Sequence, residues 1–410
     1  MQLTDVSDPI ALARQMIDIP SVSGQEGPLA DAVEAALRDA GFGTVPALEI
    51  LRDGDAVCAR TRLGRGQRLI LAGHLDTVPI ADNVPGRREE RDGVEVLWGR
   101  GSVDMLGGCA AALALACEAG HVARGGAHPP LAYDVTWIFY DHEEVAADLN
   151  GLGRIHRRHP EWLDGDLALL GEPTRAQVEG GCNGTLRVIA RFPGLAAHSA
   201  RAWMGDNAIH AMAPVIERIA AYGNPVTSVD GLDFRESLSV VRVEGGTANN
   251  VIPESASMTV NYRFAPSRSA EDALAWVRTL FEATGATLEV DDLCEGARPG
   301  AESALAQRFL QVARSCAVRA GGELRVSAKV GWTDVARFTQ AGVPAMNFGP
   351  GDPLLAHTRD EHVRTSDILR VHETLREFVL APTRACGSPE STRKTRSSTS
   401  STRPTVADPS

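Results

Sequence analysis

The chain has 410 residues, of which 43% are hydrophobic and 23% charged, and this is enough for two globular domains with a large core. Its formal net charge is −12 and no basic stripe is present, so we expect no nucleic-acid partner. The longest apolar stretch, 105–117, is too short to span a bilayer, which predicts a buried helix and no membrane partner.

Two helices are predicted near the start of the chain. Asp8 and Pro9 suit the N-cap and the first turn of a helix that we expect to end near Asp18. Residues 26–40 have an amphipathic pattern that Gly41 closes, so a second helix is expected there.

Short apolar strands follow, and several of them end in acidic or histidine residues. We expect strands at 56–61, 68–72, 133–140, 167–170 and 343–348. Gly73 is expected to end the second of these. The polar residues that follow these strands or begin a helix are His74, Asp76, Asp104, Glu143, Glu144, Glu172 and His357. Alternation of such strands with helices predicts an α/β fold with a mainly parallel sheet, helices on both faces, and ligands at the carboxyl ends of the strands.

The pattern of polar and apolar residues in the strands changes near residue 178. Polar and apolar residues alternate in the strands expected at 186–190, 237–243, 255–264 and 286–290, and helices are expected at 207–222 and 269–283. The order β-α-β-β-α-β predicts an inserted ferredoxin-like α+β domain. We therefore predict a first domain from 1–178 and 293–382, an inserted domain over 179–292, and a disordered Ser/Thr/Arg-rich tail over 383–410.

The seven cysteines are scattered and form no CxxC pair, which predicts neither a disulfide framework nor a thiolate metal site. No basic segment followed by an apolar one is found at the N-terminus, so no signal peptide is expected. We expect a reduced, cytoplasmic protein.

Each polar residue at a strand end has a simpler explanation when it is taken alone. His74 could be a hydrogen-bonded core histidine, Asp104 a helix N-cap, and Glu143 with Glu144 a solvated loop. Together, however, they stand at four or five strand ends, and adjacent acids at the end of an apolar strand are costly to bury without a compensating positive charge.

Imidazole and carboxylate groups without a thiolate favour zinc, with Co²⁺ or Mn²⁺ as possible substitutes. Two dications would be neutralised by Asp104, Glu144, Glu172 and a bridging hydroxide. Asp76 could orient the ring of His74. Glu143 would then remain as the general base that takes a proton from water and passes it to the leaving amine.

Other catalytic motifs are missing from the sequence. It contains no GxxxxGK phosphate loop, no HExxH helix and no GxSxG nucleophile turn. Nucleotide-dependent, single-zinc protease and serine hydrolase chemistries are therefore not indicated.

The motifs GHLDTVP, GRGSVDMLGG, DHEE and GEP and the late His357 resemble those of the co-catalytic zinc deacylases and exopeptidases, over residues 8–382. That family includes acetylornithine deacetylase, carboxypeptidase G and succinyl-diaminopimelate desuccinylase. The inserted domain and the run NFGPGDPLLAHTRDEHV are most similar to the actinobacterial desuccinylase group.

The resemblance implies a site of two Zn²⁺ ions. His74 and Glu172 would hold one ion and Glu144 and His357 the other, while Asp104 would bridge them. It also implies that Glu143 is the base, that Asp76 stands behind His74, and that the peptide bond after Asp104 is cis.

The resemblance further implies a homodimer formed through the inserted domain, which would serve as a lid. His198 would reach the partner subunit's site and stabilise the oxyanion of the tetrahedral intermediate. Asn249, Arg263 and Thr333 match substrate-binding positions. Without the resemblance, His198 and Arg263 would be interpreted as a surface group and a strand-face arginine.

The resemblance implies hydrolysis of a small N-acyl amino acid, N-succinyl-LL-2,6-diaminopimelate, to succinate and LL-2,6-diaminopimelate in the lysine and diaminopimelate pathway. Two departures from other bacterial desuccinylases affect the acyl pocket. Cys182 and Asn183 stand where an arginine precedes the first inserted strand, and Asp352-Pro353 replaces an asparagine before His357. The alternatives are another N-acyl-amino-acid deacylase, a dipeptidase, or a non-catalytic metal-containing binding protein, which would have no need of Glu143.

Overall fold

The computed structural model describes residues 2–125 and 131–380, so the predicted tail at 383–410 lies outside the described residues. The helices are α1 Pro9–Ile17, α2 Gly27–Ala40, α3 Leu106–Arg124, α4 Gly151–Arg158, α5 Ala213–Ala220, α6 Ala270–Leu280, α7 Ala304–Arg319, α8 Val335–Gln340 and α9 Thr365–Val379. The first ten strands are β1 Leu48–Asp53, β2 Ala56–Thr61, β3 Arg68–His74, β4 Arg87–Arg91, β5 Val94–Trp98, β6 Asp134–Tyr140, β7 Leu167–Leu170, β8 Val178–Gly180, β9 Gly184–Pro193 and β10 Ala197–His198. The others are β11 Val226–Val229, β12 Leu232–Arg235, β13 Ser237–Gly245, β14 Val251–Ile252, β15 Ser255–Phe264, β16 Thr287–Cys294, β17 Val326–Ala328, β18 Ala345–Asn347 and β19 His362–Arg364.

An eight-stranded mixed sheet carries the larger part of the fold, in the order β1-β2-β6-β3-β7-β18-β8-β17. Its centre is parallel, because β3 pairs in parallel with β6 and β7, and β7 pairs in parallel with β18. The antiparallel pairs β1–β2, β2–β6 and β18–β8 flank that centre. The predicted α/β class with a mainly parallel sheet is confirmed.

Both faces of this sheet are covered, as the continuous apolar strands require. On β3, Leu69 and Leu71 belong to one buried cluster and Ile70 and Ala72 to another, because successive side chains point to opposite faces. Helices α1, α2, α3, α7 and α9 contribute to the first cluster, and α4 and α8 to the second.

Helix α3 is the central helix of the larger cluster. Gly108 allows it to approach the sheet closely, since a Cβ there would lie 2.2 Å from the carbonyl oxygen of Gly171. Within the described ranges it is the helix long and apolar enough to cross a membrane, yet 78% of its apolar window is buried inside the protein. That burial is typical of a core helix.

The elements from β9 to β16 build a second, smaller sheet in the order β13-β15-β9-β16, in which each pair is antiparallel. With α5 and α6 packed on it, this is the ferredoxin-like arrangement that the sequence predicts, and it has its own buried cluster. The helix expected at 207–222 is shorter, because a 3₁₀ turn at His210–Met212 precedes α5, and Pro214 lies in the first turn of α5. The boundaries at 178 and 292 stay predictions.

A three-stranded sheet of β19, β5 and β4 was not predicted. The sequence of β4, Arg-Arg-Glu-Glu-Arg, has no apolar alternation, and its pairing with β5 stabilises it as a strand. The sheet positions residues 361–364 beside the end of β5, close to the glycine-rich turn before Asp104.

Candidate active site

Three central strands deliver polar residues to one edge of the large sheet. His74 is the last residue of β3, Glu143 and Glu144 follow β6, and Glu172 comes two residues after β7. Because β3 pairs in parallel with both β6 and β7, these carboxyl ends lie side by side. The expected convergence at the strand ends is present.

Gly73 does not end its strand, contrary to the expectation. The strand continues through it to His74, which pairs with Tyr140. Gly73 instead makes room for α3, since a Cβ there would lie 2.7 Å from both the Sγ of Cys109 and the side-chain methyl of Met105.

Asp104 links the two histidines. One carboxylate oxygen lies 3.2 Å from the Nε2 of His74, and the other lies 3.2 Å from the Nε2 of His357. Asp104 does not cap α3, whose N-cap is Met105, and the Asp104–Met105 peptide bond is cis. Each oxygen of this one carboxylate therefore faces a different imidazole.

The remaining acids complete two neighbouring groups. The Oε1 of Glu144 lies 2.9 Å from the Nε2 of His357. His74, Asp104 and Glu172 offer ligand atoms within 4.8 Å of one another, and so do Asp104, Glu144 and His357. All five predicted ligands are thus brought together as two groups that share Asp104. Nitrogen and oxygen donors in this arrangement fit a pair of divalent cations.

Asp76 is fully buried and supports the site mainly by holding the backbone of Glu143 and Glu144. Its two carboxylate oxygens accept hydrogen bonds from the backbone N–H groups of Glu143 and Glu144, at 2.9 and 3.0 Å. The Nδ1 of His74 lies 2.9 Å from the backbone oxygen of Asp76 but 3.6 Å from its carboxylate. Ser23, which sequence reasoning missed, donates to the same carboxylate at 2.8 Å.

The carboxylate of Glu143 has no hydrogen-bond partner among the described residues. Its ligand atom nevertheless lies within 4.8 Å of those of His74 and Glu144. Burial raises the pKa of Glu143 well above its usual value, although the nearby His74 acts in the opposite direction. An acid in this position can accept a proton from a water at the cluster.

A turn with left-handed backbone presents the two acids. His142 has φ 58°, which is uncommon for a residue other than glycine. Its Nδ1 lies 2.7 Å from Asp141, and its backbone N–H donates to the buried Glu26 at 3.1 Å. Sequence reasoning missed Glu26, because its partner is 116 residues away.

The loop that carries Asp104 is held by a buried ion pair that was also missed. The Oε2 of Glu361 lies 2.7 Å from Arg100, and its Oε1 accepts from the backbone N–H groups of Val103 and Asp104 at 3.0 and 3.1 Å. Arg100 and Glu361 are only 4% and 1% exposed. Arg100 and Glu361 lie within the sequence motifs GRGSVD and HTRDEHV. Their polarity was the only sequence signal for a buried ion pair that holds this loop.

The charges at the cluster perturb one another. Burial, together with the neighbouring Asp104, raises the pKa of Glu172 to about 7, against the opposing effect of His74 and Lys329. Hydrogen bonds with Asp104 and Glu144 raise the pKa of His357 to about 10. Four buried or half-buried acids with two imidazoles form a site whose charge favours cations.

The structure does not bring the other predicted residues into this cluster. His198 is exposed on the inserted domain, where its Nδ1 accepts from the backbone N–H of Ala200. Asn249 is exposed in the loop after β13. Thr333 is buried and donates to Asn347, whereas Arg263 lies on β15 with no hydrogen-bond or ion-pair partner among the described residues.

The model of peptidase family M20/M25/M40 matches residues 70–381. The chain belongs to this family. The M20 members include dinuclear metal-binding peptidases and act on small peptides or acyl amino acids. The protein is therefore an M20 hydrolase, and the predicted recognition of the family is confirmed.

Relatives from actinobacteria are similar over most of their length. A putative succinyl-diaminopimelate desuccinylase of Mycobacterium tuberculosis is 48% identical over 372 residues, which is 91% of this chain and 98% of the relative. The succinyl-diaminopimelate desuccinylase of Corynebacterium glutamicum is 45% identical over 383 residues, covering 91% and 96%.

Solved structures share the fold at low sequence identity. A tripeptidase from Staphylococcus aureus superposes with a TM-score of 0.72 at 17% identity, over 92% of this chain and 98% of the other. A dinuclear metal-binding M20 peptidase from Bacillus subtilis gives a TM-score of 0.62 at 18% identity, over 91% and 97%.

Proposed function

We propose that the site binds two divalent cations, zinc by preference, with Co²⁺ or Mn²⁺ as substitutes. His74 and Glu172 would hold one ion, Glu144 and His357 the other, and Asp104 both. The observation that carries this proposal is the contact of each Asp104 oxygen with a different imidazole, both at 3.2 Å. The donor set supports it, since it contains nitrogen and oxygen ligands and no thiolate.

The chain's own residues then supply the proton transfers. Bound cations of this kind polarise a carbonyl group and lower the pKa of a water molecule. Glu143 takes the proton from the attacking water and passes it to the nitrogen of the breaking amide bond. Asp76 orients this step, because its carboxylate fixes the backbone of Glu143 and Glu144. One amide and one water give one carboxylic acid and one amine.

The substrate that we propose is N-succinyl-LL-2,6-diaminopimelate, which would yield succinate and LL-2,6-diaminopimelate. This proposal is supported by nearly full-length similarity to two proteins named as desuccinylases of this compound. The reaction belongs to lysine and diaminopimelate biosynthesis, and a cytoplasmic location would suit it.

The surroundings of Arg263 support the proposal that the substrate is anionic. Burial lowers the pKa of this arginine against the opposing effect of Asp292, and its guanidinium has no partner among the described residues. An arginine without a partner can bind a substrate carboxylate through two parallel hydrogen bonds. Thr333 and Asn249 would contribute hydrogen bonds.

The inserted domain, predicted over 179–292, would form a homodimer. Trp203 is 81% exposed and Met204 is 62% exposed, which is unusual for large apolar residues of a monomer. His198 lies five and six residues before them and is also exposed. In the dimer it would stabilise the oxyanion in the partner subunit's site.

A panel of substrates tests the proposed function. The zinc-loaded protein should hydrolyse N-succinyl-LL-diaminopimelate in preference to N-acetylornithine and simple dipeptides. Chelation should abolish this activity and zinc should restore it. Equal rates on all three would refute the substrate and favour a general deacylase or dipeptidase, and no hydrolysis with both ions bound would indicate a metal-containing binding protein.

A further inference from the structure

A buried lysine lies beside the candidate site. The sequence contains only two lysines, Lys329 and Lys394, while arginine supplies its other basic residues. The side chain of Lys329 is 11% exposed, and its Nζ lies 2.8 Å from Glu179 and 3.3 Å from the backbone oxygen of Pro173. Pro173 follows Glu172 directly, so this ammonium group lies next to the predicted metal ligands.

Lys329 belongs to a group of linked polar residues that extends through Glu179 and Asn347 to Thr333. The side-chain amide of Asn347 contacts the backbone oxygen of Glu179 at 3.4 Å, and its oxygen accepts from the Thr333 hydroxyl at 3.1 Å. Lys329, Thr333 and Asn347 are 9%, 4% and 0% exposed. Thr333 is a proposed substrate contact, so Lys329 extends the same surface towards Glu172.

The ammonium group can bind one more acceptor. It has three N–H donors. Among the described residues it forms an ion pair with Glu179 at 2.8 Å and donates to the backbone oxygen of Pro173 at 3.3 Å. Glu179 and Glu172 raise the pKa of Lys329 against the effect of burial, so the group stays charged. Charged groups this deeply buried are retained where they have acceptors to bind.

We propose that Lys329 binds the free carboxylate of the substrate's acyl group and selects succinyl over uncharged acyl chains. This inference rests on the proposed function. The carboxylate of a succinyl group is only two methylene groups from the scissile carbonyl, so its partner must lie close to the metal ligands. Lys329 contacts the residue next to Glu172, whereas Arg263 lies on β15 of the smaller sheet and is left for the amino-acid half. A compact ammonium suits a single carboxylate at such a short distance.

Binding of succinate tests the assignment without turnover. Lys329→Met alone would leave the half-buried Glu179 without its ion-pair partner, so the double variant with Glu179→Gln is the cleaner one. Calorimetry on the metal-loaded protein should give an affinity for succinate about 10- to 100-fold weaker in the double variant, with bound metal unchanged. Butyrate, which lacks the second carboxylate, should bind both proteins equally. Arg325→Met is the matched control, because Arg325 is an exposed cation four residues away, and it should not change succinate binding.

Kinetics distinguish recognition from a general effect on the site. For N-succinyl and N-butyryl derivatives of one amino acid, the double variant should raise KM only for the succinyl compound, and Lys329→Arg should restore part of the preference. Equal losses on both compounds, unchanged succinate affinity, or loss of bound metal would overturn the assignment. A wild-type protein that binds succinate through Lys329 but hydrolyses neither compound would refute the proposed function and leave this assignment standing.

Discussion

Replacing Glu361 with alanine should destabilise the protein by about 3–5 kcal/mol, because it would leave Arg100 as an unpaired buried charge. The two side chains are 1% and 4% exposed, so solvent screens their attraction very little. The same change removes the acceptor of the Val103 and Asp104 N–H groups, at 3.0 and 3.1 Å. Both losses come from removing the same carboxylate, so their free energies do not simply add. We therefore expect the total destabilisation that is typical of a broken buried ion pair, about 3–5 kcal/mol.

Urea unfolding followed by tryptophan fluorescence measures this change, with the midpoint and slope compared at one pH. Glu361→Gln keeps an acceptor for the two backbone N–H groups and removes the charge, so its loss should be smaller. Glu118→Ala is the matched control, because the pair of Glu118 with Arg376 is 34% and 48% exposed and should contribute less than about 1 kcal/mol.

The same variant should also weaken metal binding, because Glu361 fixes the backbone of Asp104. We expect Glu361→Ala to lose zinc at chelator concentrations that leave the Glu118→Ala control loaded. A free energy of unfolding within 1 kcal/mol of wild type, together with unchanged zinc retention, would refute the reasoning that this pair holds the loop.

Three further predictions concern the base, the dimer and acid stability. Glu143→Ala should keep both metals and lower kcat by about 10²- to 10⁴-fold, and a wild-type rate would show that Glu143 is not the base. Trp203→Asp with Met204→Asp should convert a dimer to a monomer in light scattering, while an unchanged mass would place the interface elsewhere. Burial would raise the pKa of Glu236, but hydrogen bonds from Tyr222, Tyr262 and Thr227 outweigh it and lower the pKa. The stability that this lowered pKa contributes is fully present above the unfolded-state pKa of about 4.3 and is lost as the pH falls through the folded-state pKa. The urea midpoint of Glu236→Gln should therefore fall less between pH 6 and pH 3 than that of the wild type.

Local patterns were sufficient for the fold class and for most elements. The apolar runs at β3, β6 and β7, the caps at Asp8 and Gly41, and the alternation in β9 and β15 are properties of neighbouring residues. The placement of His74 and Glu172 at strand ends also follows from the sequence, because parallel strands bring their carboxyl ends to one edge.

The sequence alone determined that an α/β protein with an inserted ferredoxin-like unit carries imidazoles and acids at its strand ends. Only the tertiary structure decided which atoms meet, because the contacts of Asp104 with His357 and Glu361 join residues more than 250 positions apart. Likewise, the sequence predicts that Gly73 ends a strand, whereas the structure shows that a glycine is needed there for α3 to pack against β3. Neither periodicity nor spacing encodes such contacts, since they depend on how distant elements pack, and the buried Lys329 beside Glu172 is the same kind of result.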